Sequence, residues 1–230
     1  MELLSIVVPV YNEEATVRQV IDRLLAIDLP VPREILVVND GSTDGTRGVL
    51  DGMPDVPGIL RIVHAAVNGG KGRAIRTGFE QARGTIVAIQ DADLELDPAQ
   101  LKELVAPILN GEASVVYGSR FLAGLPAAPW VTIVANKVLT GVTNLLYGSR
   151  ITDMETCYKI MRTDVARGLK LEANRFDIEP EITAKVLRQG LQIVERPVRF
   201  EPRSRAQGKK IGWRDGVRAL EVLARHRFSR

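Results

Sequence analysis

Short apolar runs alternate with amphipathic stretches along the first half of the chain, and that alternation predicts its elements. Residues 5–10 (SIVVPV), 34–39 (EILVVN), 59–64 (ILRIVH), 85–90 (TIVAIQ) and 114–118 (SVVYG) read as strands, most of them apolar enough to be buried on both faces. Between them the period changes to that of a helix. Over 12–27, Val17, Val20, Ile21, Leu24 and Leu25 share one stripe, with Asn12 expected as N-cap and acids in the first turn. A short helix follows the turn-rich 40–46 (DGSTDGT), and another runs from NGGKG (68–72) through Ala82. Asp97 and Pro98 open a further helix at 98–109. This order predicts an α/β fold with a mostly parallel central sheet flanked by helices. Such sheets bind ligands beyond the carboxyl ends of their strands. The polar clusters at 39–44, 68–71, 91–95 and 118–120 all fall on that edge.

The second half is less regular. Residues 126–148 are apolar with Lys137 as the only charge, long enough for the roughly 20 residues that a membrane span needs. Asn136, Lys137 and Asn144 interrupt the run, so a core or interfacial helix is expected. Then come a strand (156–162), a helix closed by Gly190 (178–190), a returning strand (190–200) and a basic amphipathic helix (212–228). The first residues read as a strand followed by acids, not as a secretory signal. With 230 residues and no repeat or low-complexity tract, one domain over 1–230 is expected.

Charge alters this picture more than composition does. The net charge of +3 conceals an asymmetry: from Arg196 to Arg230 there are eleven Lys/Arg and three Asp/Glu, a net +8 that leaves −5 for the rest. A basic block of this kind suits an anionic partner, although a solvated helix face also accounts for it. Cys157 is the single cysteine, so no internal disulfide forms. The glycine segment matches neither the P-loop nor the dinucleotide-binding pattern, which leaves Lys71 as a point charge at a helix start.

The fourth strand ends in Asp91, Asp93 and Glu95. On an extended chain alternate residues face one way, so Asp91 and Asp93 would present both carboxylates to one point, with Glu95 able to join. Like charges so close call for a cation, and Mg²⁺ or Mn²⁺ fits, taking one or two carboxylates and completing its shell with substrate phosphates. Taken alone, the pattern fits an acidic turn before a helix better.

Taken together and in order, SIVVPVYNEE, ILVVNDGSTDGT, NGGKGRAIRTGFEQARG, VAIQDADLELDP and VVYGSR resemble the family 2 glycosyltransferases of GT-A fold. TDMETCYKIMR, FDIEPEITAKVLRQG and RPVRFEPRSRAQGKK are similar to the dolichyl-phosphate mannose synthase branch. The resemblance covers nearly the whole chain. It implies that 1–120 is the nucleotide-sugar half and 121–230 the acceptor half, ending in the basic helix. It places Pro9, Tyr11, Glu13, Asp40, Lys71, Asp91, Ala92 and Asp93 against the donor, with Asp40 accepting from the base. Asp91 and Asp93, with Glu95 as a further candidate, become ligands of Mg²⁺ or Mn²⁺. Arg120 and Arg203 match arginines that hold phosphates, and Arg205, Lys209 and Lys210 extend that basic set. Three departures stand out: Asn39 replaces the first Asp of a pair, Glu95 stands where Gln is common, and the apolar helix offers only Lys137 as a cation.

The implied reaction is inverting transfer of a hexose, from GDP-mannose or a UDP-hexose, to polyprenyl or dolichyl phosphate. A phosphate monoester has a second pKa of about 6, so it attacks without a general base and needs cations to hold it. Its lipid places the chain at a membrane surface, peripheral on the cytoplasmic face. Should the acceptor be a saccharide or small-molecule hydroxyl instead, a base is required, and Asp153 is the candidate. The catalytic set is therefore Asp93, Arg120, Asp153 and Arg203. A nucleic-acid-binding protein using the basic tail is the alternative of another class, but the tail carries few aromatics and no binding module, so no nucleic acid is expected.

Overall fold

The structure, a computed structural model, describes residues 2–202 and 213–228. In chain order its elements are β1 (Leu4–Val10), α1 (Val17–Ala26), β2 (Arg33–Asn39), α2 (Thr46–Asp51), β3 (Leu60–His64), α3 (Lys71–Gln81) and β4 (Ile86–Ile89). A 3₁₀ turn (Pro98–Gln100) runs into α4 (Leu101–Leu109), then β5 (Val115–Ser119) and α5 (Trp130–Tyr147). The chain continues through β6 (Lys159–Arg162), α6 (Thr163–Gly168), α7 (Ile178–Arg188), β7 (Ile193–Pro197) and α8 (Trp213–Phe228).

One seven-stranded sheet has the order β3-β2-β1-β4-β6-β5-β7. Every pairing is parallel except those of β6 with β4 and with β5, so β6 alone runs against the rest. The chain leaves β1 toward β2 and β3, then returns to β4 on the other side of β1, which puts the switch point between β1 and β4. Because β6 is reversed, the loop before it arrives at the same edge as the ends of the other six strands.

Strand periodicity distributes the core over both faces. Leu4, Ile6, Val8 and Val10 pack with α1 and α4, while Val7 joins Ile75, Phe79 and Ile182 on the opposite side. Asp97 caps the 3₁₀ turn by accepting from Ala99 N at 3.1 Å, with Pro98 at its first position. Asn12 does not cap α1, which starts five residues later with no acid in its first turn. It sits at φ 54, and its Oδ1 accepts from Thr43 N at 2.8 Å, tying the loop after β1 to the loop after β2. The short helix α6 had no signal in the apolar pattern.

Among the described residues no helix is long and apolar enough to cross a membrane. Helix α5 is amphipathic with its apolar side outward: Asn136, Thr140 and Thr143 are buried, whereas Trp130, Val131, Val134, Val138 and Leu145 are exposed. Helix α8 buries Ala219, Val222 and Leu223, with Ala219 and Leu223 packing against Leu139 and Ala184, and leaves Val217 and Leu220 exposed.

Helix α3 approaches β1 unusually closely at Gly78, where a Cβ would lie 2.2 Å from Val7 Cγ1. Alanine there gains about 1 kcal/mol of helix propensity but overpacks a fully buried strand, which costs about 1–3 kcal/mol. Gly78→Ala is therefore expected to lower the Tm, and Val7→Ala in the same chain to restore part of the loss. Thermal unfolding with additive losses would contradict this contact.

Candidate active site

Asp91 follows β4 at the switch point, and what it faces is the product of two neighbouring elements. The positive φ of Gly70 (95°) turns the chain into α3, so that Lys71 starts the helix beside Asp91. Lys71 Nζ lies 2.8 Å from Asp91 Oδ1 and 3.1 Å from Oδ2, and 3.1 Å from Glu179 Oε1 in the first turn of α7. Glu179 Oε2 in turn accepts from Lys159 Nζ at 2.6 Å. Four charges thus alternate in sign, mostly out of water. Burial opposes ionisation of Asp91, but Lys71 overrides it and holds the carboxyl below its ordinary value. Burial likewise works against the Lys71 charge, and Asp91 and Glu179 raise its pKa well above the usual range.

The segment after Asp91 is a turn, not an extension. Leu94 has φ 64, Asp93 Oδ1 accepts from Glu95 N at 3.2 Å, and Gln90 Nε2 donates to both Asp91 O (3.0 Å) and Leu96 O (3.3 Å). Tyr158 Oη steadies Gln90 at 2.6 Å. The extended geometry expected for Asp91 and Asp93, with Glu95 able to join, is corrected accordingly. Among the described residues no three His, Cys, Asp or Glu side chains are grouped to hold a metal ion, so Asp91, Asp93 and Glu95 do not form a three-ligand set. Two carboxylates remain, enough for Mg²⁺ or Mn²⁺ when substrate phosphates supply other ligands. Asp91 already holds a cation, the Lys71 ammonium, across both of its oxygens. The donor set fits a divalent ion.

The second charged centre is at the end of β5. Arg120 Nε donates to Asp153 Oδ2 at 2.7 Å and Nη2 to Oδ1 at 2.8 Å, a two-pronged pair. Asp153 also accepts from Arg120 N (3.0 Å) and Asn136 Nδ2 (3.2 Å), and its side chain is fully buried. With four donors on its carboxylate, Asp153 orients Arg120 in this structure, an arrangement unlike that of a base exposed to an acceptor hydroxyl. The guanidinium also lies 5.2 Å over the Phe200 ring, and Arg120 is kept charged by Asp153 despite burial.

Asp40, at the end of β2, spends its carboxylate internally. It accepts from Gly69 N (3.0 Å), Gly70 N (2.6 Å) and Arg73 Nη2 (2.7 Å), and so shapes the turn that delivers Lys71. Asn39 donates from Nδ2 to His64 Nδ1 at 2.9 Å, which the aspartate of the resembled pattern has no hydrogen to do. Pro9 is half-buried on β1; Tyr11 and Glu13 follow it, with Glu13 N donating to Thr46 Oγ1 at 2.8 Å. Ala92 is buried, and its carbonyl accepts from Thr16 Oγ1 at 2.8 Å, bridging the switch point. Arg203, Arg205, Lys209 and Lys210 lie outside the described residues.

Sequence reasoning missed Glu179, Lys159, Cys157 and Glu155. Three of these belong to the 152–159 segment, which reaches the ligand edge only because β6 is reversed. Cys157 is buried, and burial with Asp91 nearby raises its thiol pKa well above the usual range. Glu155 is partly buried, and its Oε1 is enclosed without a hydrogen-bond partner. Burial, opposed by Lys159 and Arg120 and aided by Glu179 and Asp153, pushes its carboxyl up from 4.5 to about 7. The folded state therefore binds more of this proton than the unfolded state between pH 4.5 and 7, so stability falls as pH rises through that window. Glu155→Gln escapes the loss. Its stability relative to wild type is expected to rise from pH 5 to pH 8 by about 1–3 kcal/mol in urea denaturation. A constant difference would contradict the raised pKa.

The sequence model described as glycosyl transferase family 2 matches residues 5–169. An undecaprenyl-phosphate mannosyltransferase of Micrococcus luteus is 29% identical over 232 residues, covering 96% of this chain and 93% of its own. Glycosyltransferase AglD of Haloferax volcanii is 30% identical over 87% of the chain, and a dodecaprenyl-phosphate galacturonate synthase of Rhizobium johnstonii 32% over 75%. The chain spans only 33% and 52% of the lengths of these two. Glucosyl-3-phosphoglycerate synthase of Mycobacterium tuberculosis, solved with Mn²⁺, UDP and phosphoglyceric acid, superposes with a TM-score of 0.75 at 22% identity, covering 99% of this chain and 79% of its own. The expected GT-A fold is thus the fold of this chain, and with a family match over 165 of its 230 residues the chain belongs to glycosyl transferase family 2.

Proposed function

We propose that the chain transfers a hexose, with inversion, from a nucleotide sugar to a polyprenyl phosphate. One observation carries the acceptor class: the carboxylate beside Arg120 is wholly consumed in aiming that guanidinium, so this end of the site offers a positioned cation. That suits a nucleophile which is already an anion. The names of two of the relatives, an undecaprenyl-phosphate mannosyltransferase and a dodecaprenyl-phosphate galacturonate synthase, point the same way. GDP-mannose is the first-choice donor and a UDP-hexose the second.

In this reading residues 1–120 bind the donor and 121–230 the acceptor. Pro9, Tyr11 and Glu13 line the nucleoside side; Asp40 reaches the base only by exchanging one of its internal donors. A divalent cation on Asp91 and Asp93 supplies, when bound, Lewis-acid stabilisation of the departing diphosphate. Lys71, which neutralises Asp91 in its absence, retains Glu179 as a partner and can turn toward a phosphate. Arg120, joined by Arg203, Arg205, Lys209 and Lys210, holds the lipid phosphate. A phosphate oxygen forms the new bond to the anomeric carbon as the bond to the donor's β-phosphate oxygen breaks. The electron pair leaves with the nucleoside diphosphate, and no proton moves.

The outward apolar side of α5 supports docking on a lipid surface; the cytoplasmic face is part of the same proposal. Leu122 and Leu125 just before it are exposed as well, and Lys137 is the helix's single charge. Helices of this kind lie in the interface with the apolar side down. The triple change Trp130→Ser, Val134→Ser, Val138→Ser is expected to weaken sedimentation with anionic vesicles at least tenfold and to leave the Tm nearly unchanged. Undiminished sedimentation would contradict docking through α5.

Incubation with radiolabelled sugar nucleotide and polyprenyl phosphate should move label into the organic phase. Asp91→Asn or chelator should cut that rate by at least ~100-fold, given several kcal/mol of charge stabilisation. Label transferred only to aqueous acceptors would contradict the lipid-phosphate reading.

A further inference from the structure

We infer that Glu155 forms a hexose subsite, its carboxyl hydrogen-bonding a hydroxyl of the sugar being transferred. This rests on the glycosyl-transfer reading above and deepens it.

The loop before β6 is almost completely tied down. Thr152 donates from N and Oγ1 to Glu195 Oε2 at 2.8 and 3.0 Å, and Asp153 takes the Arg120 fork. Thr156 Oγ1 donates to Gly118 O at 2.6 Å, and Lys159 Nζ donates to Met154 O at 3.0 Å and to Glu179. Glu155 is the exception. Its Oε1 is enclosed without a partner, an arrangement that costs about 1–3 kcal/mol unless a ligand completes it.

Its position indicates which ligand. The charged groups bearing on Glu155 are Arg120 and Asp153 on one side and Lys159 and Glu179 on the other. Glu179 shares Lys71 with Asp91. Glu155 thus neighbours charged groups of both centres, the one proposed for the diphosphate and the one proposed for the acceptor phosphate. In a direct displacement the sugar ring must lie where those two centres meet. An anion in either phosphate site would repel an ionised carboxylate there, whereas a neutral polyol would not. A carboxyl that burial keeps partly protonated can both accept from and donate to a hydroxyl.

The test compares binding of a sugar nucleotide with that of its nucleoside diphosphate, by calorimetry on the full chain with Mn²⁺. UDP-glucose with UDP and GDP-mannose with GDP are the two probe pairs. Glu155→Ala is expected to weaken the sugar nucleotide about tenfold and the diphosphate less than twofold, with Glu155→Gln intermediate. Deoxy-sugar nucleotides should single out one hydroxyl whose removal makes wild type and variant bind alike. Equal losses for both members of a pair would overturn the subsite, as would unchanged binding. Unchanged affinity with a collapsed kcat would also overturn it, assigning Glu155 as a base for a hydroxyl acceptor. A wild-type chain that binds none of the four probes would instead remove the glycosyl-transfer reading, and this inference with it.

Discussion

Four buried or half-buried charges in alternating sign, Asp91, Lys71, Glu179 and Lys159, hold the ligand edge of this sheet together. Removing Lys71 or Glu179, the two inner members, leaves an end charge without its ion pair in a region of low dielectric, a loss of about 3–5 kcal/mol for a buried pair. The array also joins elements far apart in sequence. Asp91 closes β4, Lys71 opens α3, Glu179 opens α7 and Lys159 opens β6. The first and second halves of the chain therefore meet through charge as well as through the common sheet.

The opposite end of the site obeys the same rule by a different device. Arg120 is not left to find a ligand by itself; Asp153 grips it from below, Asn136 supports Asp153 from α5, and Glu195 holds the loop by accepting from Thr152 and Asp153 N. This explains why α5 buries Asn136, Thr140 and Thr143 and turns its valines outward. Its polar side is the scaffold of the Arg120–Asp153 pair. Its apolar side is left exposed.

Much of this was legible in the residues. The alternation of apolar and amphipathic runs located the strands and the major helices, because parallel strands buried on both faces carry nearly continuous apolar sequence. Asp91, Lys71 and Arg120 were legible because each follows a strand or opens a helix at the edge where such sheets bind ligands. The direction of β6 was not. Nothing in KIMR distinguishes a reversed strand from a parallel one, so although Asp153 was a candidate, Glu155 and Cys157 beside it could not be placed at the site. The shape of the acidic turn was hidden too. Leu94 at φ 64 is a conformation that leucine rarely adopts, imposed by Gln90 and Tyr158 from outside the motif. Asp153 looked like a base because a sequence shows a carboxyl group but not the donors that saturate it.

The claim on which the account stands is that Asp91 gives up the Lys71 ammonium for a divalent ion shared with a diphosphate. Electron–nuclear double resonance of bound Mn²⁺ with a nucleoside diphosphate measures this directly. The account predicts ³¹P coupling from the diphosphate in the wild-type protein and loss of the bound Mn²⁺ signal in Asp91→Asn. Bound Mn²⁺ without ³¹P coupling, or a signal indifferent to Asp91, would contradict it.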